Sequence, residues 1–363
     1  MRVLWFNHRD PSHPHAGGAE VRIHEIGKRI VQNGCSVTLV CERWEGSKRN
    51  DLLDGIEIVR IAGKFGIHFQ VPFWLRRFDE YDVIVDDVAH AIPWFSPLFT
   101  SKPVIGQVHH VHQEILKMEL PWYLSSFAVW TERAIKYLYD TIVVVSESTK
   151  RDLVEGIGVP SRKVKVILSG VDHEVYRLSR KSPDPLILCV GRVKRYKRVE
   201  HVILAFNKVR KKLPDARLAI IGDGDHLDNL RKFATRLAVP NIEFLGRVDE
   251  KEKVRLIGES WLMVGCSLLE GWGMTAVEGA ACGTPFVAYN VPGFRDFIRN
   301  GETGILVEDG YVGAFASAML KILENDDFRF ELSNNAFSHS TRFNWDVAAE
   351  EFLRVMSWVC DDR

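Results

Sequence analysis

Two carboxylates, Glu270 and Glu278, frame the stretch Ser267–Glu278, with Gly271-Trp272-Gly273 directly after the first and the helix-forming run Met274-Thr275-Ala276-Val277 leading to the second. Glycines let backbone N–H groups come close to a ligand, and a helix that follows them turns its positive end toward the same place. Such a site suits a ligand that carries phosphate and several hydroxyls, and a sugar nucleotide is one. Glu278 lies among Ala276, Val277, Ala280 and Ala281. A carboxylate in so apolar a setting needs a partner, which a hydroxyl-rich ligand would supply. The plainer reading is a surface glutamate followed by a charge-stabilised helix start.

A second cluster, Gly191-Arg192-Val193-Lys194-Arg195-Tyr196-Lys197-Arg198, holds five cations directly after the strand-like run Leu186–Val190. Open α/β sheets bind ligands at the carboxyl ends of their strands. Arginine offers a fork to phosphate oxygens and lysine a mobile point charge. A solvated basic loop is the alternative. Gly17-Gly18-Ala19-Glu20 opens a helix after the strand-like Val3–Phe6, where a glycine pair can admit a phosphate to the helix end. It is not a dinucleotide fingerprint, because no Gly-x-Gly-x-x-Gly follows.

Gln107-Val108-His109-His110-Val111-His112 sets three histidines after another strand. No cysteine or carboxylate beside them completes a metal-ligand set, so a hydrogen-bonding histidine at a strand end is expected instead. Asp223-Gly224-Asp225 reads as a turn with an N-cap. Asp86-Asp87 has no such explanation and stays open.

The elements that must position these residues alternate strand and helix, twice. Strands are expected at Val3–Phe6, Val37–Val40, Val83–Val85, Val104–Val108 and Ile142–Val145. A second set is expected at Leu186–Val190, Leu218–Ile221, Ile242–Leu245, Leu262–Val264 and Phe286–Ala288. Helices are expected near 199–212, 226–237, 249–259 and 274–282. Alternation of this kind implies parallel sheets flanked by helices. The boundaries that follow are a Rossmann-like domain over 1–171, a linker over 172–185 with two prolines, a second Rossmann-like domain over 186–343 and a terminal helix over 344–363. Taken on its own pattern, that helix would cap the second domain.

A chain of 363 residues suits two domains, and 46% hydrophobic with 26% charged residues is an ordinary globular composition. The 48 basic and 48 acidic residues cancel, which excludes a global field for nucleic acid. No apolar run approaches the ~20 residues a bilayer span needs, and the N-terminus runs straight into a strand rather than a cleavable signal. The six cysteines form no Cys-x-x-Cys pair and read as reduced cytosolic thiols.

In order and spacing, Gly191-Arg192-x4-Lys197 followed by Glu270-x7-Glu278 resembles the donor site of retaining glycosyltransferases of family 4. Val145-Ser146-Glu147-Ser148, Ser169-Gly170-Val171-Asp172, Gly283-Thr284-Pro285 and Pro292-Gly293 support the resemblance, as do the Gly17 and His109 regions. It covers nearly the whole chain. It implies the GT-B architecture: an α/β fold of two Rossmann-like domains whose parallel sheets face across a cleft, with the C-terminal helix crossing back to the first domain.

The resemblance also implies roles. Arg192 and Lys197 bind and neutralise the donor diphosphate. Glu270 holds sugar hydroxyls, and the backbone of Gly191 and of Gly271, Trp272, Gly273, Met274 and Thr275 holds sugar and phosphate. Glu278 takes the ribose, and the base rests near Gly246–Val248, against Val248. Gly17 and Gly18 close over the diphosphate, and His109 reaches the sugar. Three positions depart from the pattern: Arg198 stands where a glycine usually follows the lysine, Trp272 replaces phenylalanine, and Ser169 replaces asparagine.

The implied function is transfer of a hexose from a nucleoside diphosphate sugar, GDP-mannose or UDP-glucose, to a saccharide or lipid-linked acceptor. Neither metal nor cofactor is expected, since the nucleotide sugar is a substrate. Replacing Lys197 or Glu270 by alanine is expected to abolish transfer and leave stability nearly unchanged. An epimerase or hydrolase of the same fold, an inverting transferase and a non-catalytic sugar-nucleotide-binding subunit are the competing readings. Trp122, Tyr123, Phe127, Trp130, Tyr137 and Tyr139 mix with Arg133 and Lys136, and Phe69, Phe73 and Trp74 with Arg76 and Arg77. These clusters fit either helix packing or peripheral contact with the cytoplasmic face of the inner membrane.

Overall fold

The computed structural model describes residues 1–361 apart from 62, 64, 65, 78, 79 and 90, and at Arg77 the backbone alone. Two compact units result. The first holds Met1–Gly170 together with the stretch from Trp345 onward, and the second holds Val171–Asn344.

The strands of the first unit are β1 (Arg2–Phe6), β2 (Ser36–Cys41), β3 (Asn50–Leu53), β4 (Ile56–Arg60), β5 (Val83–Val88), β6 (Val104–Val108), β7 (Thr141–Val144) and β8 (Val164–Val166). They form one sheet in the order β3-β4-β2-β1-β5-β6-β7-β8. Every pairing is parallel except that of β3 with β4. Parallel strands covered on both faces read as unbroken apolar runs, and β5 and β7 are buried at every position. The β3–β4 hairpin turns on Asp54 and Gly55, whose φ values of 48° and 83° are those of a type I′ turn.

The helix Gly18–Gln32 covers the sheet with Ile23, Ile26 and Ile30, spaced as one helical face. The terminal helix Trp345–Asp361 belongs to this same unit. Its Phe352 ring stacks on Trp5 at 5.2 Å, and its Asp346 accepts from Arg29 Nε at 2.5 Å. The reading that this helix caps the second domain is thereby corrected. Apolar burial against Trp5 decides its place, while Val347 and Trp358 stay about half exposed at 50% and 49%.

The second unit contains β9 (Leu186–Val190), β10 (Arg217–Ile221), β11 (Ile242–Gly246), β12 (Leu262–Gly265), β13 (Phe286–Tyr289) and β14 (Gly304–Val307). Their order is β11-β10-β9-β12-β13-β14, with every pairing parallel. The order reverses between β9 and β12, so the loops after these two strands flank the crevice where such sheets take ligands. Those loops are the basic cluster and the Ser267–Gly273 turn.

Residues 172–185, expected as a linker, pack onto this second unit instead. Tyr176 is buried, Lys181 Nζ donates to Thr284 Oγ1 at 2.6 Å, and Trp261 Nε1 donates to the Ser182 carbonyl at 2.8 Å. Polar composition suggested a tether, but its aromatic and lysine side chains find fixed partners.

Candidate active site

At the reversal point of the second sheet, Lys197 Nζ lies 2.6 Å from Glu270 Oε1, and the Ser267 hydroxyl donates to the same oxygen at 2.6 Å. Both charged side chains are mostly buried, at 16% and 18% exposure. Burial, the largest single effect, depresses the Lys197 ammonium, but the Glu270 charge and hydrogen bond together with Tyr196 outweigh it and the net shift is upward. Lys197 is therefore a fixed cation at neutral pH. Gly191, Arg192, Lys197, Ser267, Glu270 and Thr275 line one small space of about 20 Å³. That is room for about one water, so a ligand the size of a sugar nucleotide must lie over its mouth.

Four of the five cations of the basic loop have distinct tasks. Lys194 pairs with Asp225 at 2.5 Å. Arg192 is exposed, and its guanidinium reaches the Tyr196 hydroxyl at 3.4 Å. Arg198 explains its own departure from glycine. It takes the left-handed conformation at φ 48°, ψ 42°, which glycine enters freely. Its side chain then donates to the Cys266 and Ser267 carbonyls at 2.9 and 3.0 Å, pairs with Asp309 and covers the Tyr289 ring. A strained backbone is thus held by a side chain that ties the two ligand loops together.

Asp223-Gly224-Asp225 is a loop that runs into a Gly224–Leu227 turn, and it is not the N-cap. His226 occupies that position and makes no side-chain cap bond. Its role is support: a Cβ at Gly222 would meet the Gly191 carbonyl at 1.8 Å, so this segment presses directly under the basic loop. Gly293 plays the same part beneath Glu270. Its φ is +83°, a Cβ there would lie 2.5 Å from the Glu270 carbonyl oxygen, and Glu270 N donates to the Pro292 carbonyl at 3.2 Å.

Gly271, Gly273, Met274 and Thr275 lead into the helix Met274–Ala281, which Gly273 caps in the left-handed region at φ 78°. The Trp272 side chain turns into the core of the second unit. It is buried against Phe343 and Phe297, with ring centroids 5.3 and 6.1 Å away. Only its backbone is left for sugar or phosphate, and the larger ring in place of phenylalanine serves packing.

Glu278 already has the partner that sequence reasoning sought in a ligand. Lys253 Nζ approaches it at 3.3 Å from the helix Glu250–Glu259, and Tyr176 also bonds it. Burial raises its pKa, and Lys253 opposes the rise without cancelling it. One carboxylate oxygen, Oε2, remains buried without a partner. Val248 is half-buried one residue before Asp249, the N-cap of the Lys253 helix. Lys253 and Tyr176 lie 25 and 102 positions from Glu278, and no local spacing marks either.

In the first unit, Gly17 caps the helix Gly18–Gln32 from an extended backbone, and its N–H donates to Glu20 Oε2 at 2.7 Å. The expected phosphate position thus already has an internal anion in the helix's first turn. His109 is buried, with Nε2 2.9 and 3.1 Å from the two Asp87 oxygens. Asp87 also accepts from the Gln107 amide. The two aspartates left open by sequence now separate. Asp87 orients His109. Asp86 is a core group that accepts from Ser96 Oγ at 2.6 Å and Tyr139 at 2.8 Å, with its pKa raised to about 7 by burial. His112 is spent on Glu132 and the Ala89 carbonyl. Among the described residues no three His, Cys, Asp or Glu side chains gather as a metal site.

The aromatic clusters do not serve helix packing for the most part. Trp122, Tyr123, Phe127, Trp130 and Tyr137 are exposed, as are Phe69 and Phe73, and Tyr139 alone of the first cluster is fully buried. Among the described residues no helix is long and apolar enough to cross a membrane.

Two doubly wound sheets, the second with a fixed cation and a carboxylate at its reversal point, define an α/β transferase of the GT-B kind. Family models agree on the member: Glycosyltransferase Family 4 matches residues 16–175 and Glycosyl transferases group 1 matches residues 174–339, and the chain belongs to this glycosyltransferase family.

An uncharacterized glycosyltransferase of Methanocaldococcus jannaschii is 25% identical, with 93% of this chain and 94% of that one covered. A D-inositol 3-phosphate glycosyltransferase of Nocardioides is 24% identical over 94% and 85% of the two chains. A phosphatidyl-myo-inositol mannosyltransferase of Mycobacterium tuberculosis is 30% identical, over 60% of this chain and 59% of its own. Two solved structures share the fold. Sucrose-phosphate synthase from Thermosynechococcus elongatus has a TM-score of 0.85 at 18% identity over 100% of both chains. Anabaena HepE in complex with UDP-glucose has 0.80 at 18% identity over 98% of this chain and 99% of its own.

Proposed function

We propose that this glycosyltransferase moves a hexose from a nucleoside diphosphate sugar, of the GDP-mannose or UDP-glucose type, to a hydroxyl of a saccharide or lipid-linked acceptor. The anomeric configuration is retained and no metal takes part. The observation that carries the reading is the Lys197–Glu270 pair, 2.6 Å apart, joining the two loops at the reversal point of the second sheet. The UDP-glucose held by HepE and the mannosyl transfer named for the mycobacterial relative support the two donor types.

In this mechanism the bond between the sugar's anomeric carbon and the diphosphate oxygen breaks, and charge develops on the leaving group. Lys197, Arg192 and the backbone amides around Gly273 stabilise that charge. Glu270, held by Lys197 and Ser267, accepts from sugar hydroxyls. Glu278 Oε2, buried without a partner, is suited to a ribose hydroxyl. The acceptor oxygen attacks from the leaving-group face, and its proton passes to the departing phosphate. His109, its Nε2 held by Asp87, offers Nδ1 as an acceptor to a sugar hydroxyl. The chain works on the cytoplasmic face of the membrane, and its exposed aromatic clusters with Arg133 favour peripheral contact there.

Lys197→Ala should lower turnover by about 10²–10³, the loss expected for one donor to a developing anion. The structure revises the expectation about stability. Removing one member of a mostly buried pair strands the other, a loss of up to about 3–5 kcal/mol. The double variant Lys197→Ala/Glu270→Ala should recover much of that stability and none of the activity. Near-normal turnover in Lys197→Ala, with product appearing only when an acceptor is present, would sink the assignment.

A further inference from the structure

The first unit carries a half-open pocket of about 550 Å³ that the donor chemistry does not use. Its walls are Trp94, Phe95, Leu98, Phe99, Phe69 and Phe127, with a polar group of His8, Arg9, Glu42 and His68. The residues come from segments that follow β1, β2, β4, β5 and, for Phe127, β6, so the cavity sits at the carboxyl edge of the sheet. The strand order runs outward both ways from the β1–β5 pair, which makes this the reversal point of the first sheet as well.

Its construction is deliberate by physical criteria. Ala91 and Phe95 both adopt left-handed backbone, at φ 66° and 59°. For a bulky aromatic that is a rare and costly conformation, kept only where surroundings impose it. Trp94 is locked by an Nε1–H bond to the Asp87 carbonyl at 2.7 Å and by the His68 ring stacked on it at 4.3 Å. His68 meets His8, Nε2 to Nε2, at 3.3 Å, and burial depresses its pKa to about 4. The polar group therefore carries the Arg9–Glu42 pair and, at His68, a neutral imidazole. The same Asp87 whose carbonyl holds Trp94 holds His109 with its carboxylate.

We propose that this cavity binds a hydrocarbon chain, and that the acceptor is accordingly an amphiphile with its chain here and its hydroxyl-bearing head toward His109. A cleft of this volume is typical of small-ligand sites, and a buried Trp94 floor with an exposed apolar rim and a few polar groups fits a ligand that is apolar along its length and polar at one end. The word acceptor rests on the transferase reading; the hydrocarbon site does not.

The test is calorimetric titration of the whole protein, without any sugar nucleotide, with n-alkyl β-glucosides from methyl to octyl below their micellar concentrations. From butyl onward each methylene should tighten binding about two- to fourfold. Leu98→Glu and Phe69→Ser alter exposed mouth residues, so they should keep the wild-type melting temperature and weaken octyl glucoside at least tenfold. Binding independent of chain length would overturn the proposal. Phenyl glucoside binding as tightly as octyl would replace the chain by an aromatic aglycone and overturn it too. So would affinity lost in Trp122→Ser/Trp130→Ser but kept in the two mouth variants, since the chain would then lie on the exposed helix. Because no donor is present, these results stand apart from the Lys197→Ala turnover measurement.

Discussion

Asp86 and His68 show how burial of single groups sets the pH response of the first unit. Burial raises Asp86 to about 7, against bonds from Ser96 and Tyr139 that pull it down. An unfolded aspartate has a pKa near 3.8. The folded state therefore holds a proton that the unfolded state has released, and stability falls as pH rises from about 4 to 7. His68 is the mirror case. With a folded pKa of about 4 against 6.5 unfolded, it loses stability as pH falls through that window. The two slopes oppose each other. Asp86→Asn should leave only the histidine slope, so its melting temperature, relative to wild type, should climb between pH 4 and pH 7. A melting temperature difference that stays flat across that range would show that Asp86 is ionised in the fold.

Loops and helices, rather than isolated residues, decide where the donor groups stand, and two glycine-related positions show it. Gly293→Ala forces a Cβ to 2.5 Å from the Glu270 carbonyl at a positive φ. The expected loss is about 3 kcal/mol of stability together with most activity, read by thermal melting and turnover. Arg198 offers a cleaner comparison. Arg198→Ala and Arg198→Gly lose the same bonds to Cys266 and Ser267, but glycine also relieves the left-handed strain. Glycine should be the more stable variant by about 1 kcal/mol in denaturant unfolding.

Elements are also where sequence and structure can be compared fairly. Val104–Val108 and Leu186–Val190 were legible to the residue, because central parallel strands are apolar on both faces. The β3–β4 hairpin was missed although Asp54-Gly55 signals it, because the edge strand β3 is short and exposed and β4 alternates with polar residues. β14, an apolar edge strand of only four residues, also escaped. In the site, cations and carboxylates were visible as spacing. Their supports were not: Lys253 and Tyr176 reach Glu278 only through the fold, and nothing local tells that Trp272 turns inward.

On the scale of the whole chain, the second unit is one uninterrupted segment, Val171–Asn344, while the first is built from two separated pieces. Residues 171–344 expressed alone should fold cooperatively and bind UDP or GDP, detected by a ligand-dependent rise in melting temperature. Deleting the terminal helix should leave that behaviour intact in the longer chain. It should also uncover Trp5 and make the first unit the earlier to unfold, as limited proteolysis would report.

The stacking of Phe352 on Trp5 has a consequence in time as well as in space. Trp5 leaves the ribosome before the whole of the second unit and Phe352 after it. At about 5–20 residues per second, the intervening unit alone keeps them apart for on the order of 10–30 s. Throughout that interval the nascent first unit has an uncovered aromatic surface, while the second unit can complete itself as soon as it emerges. Synthesis of this protein thus reverses the usual order, and the half that begins first is finished last.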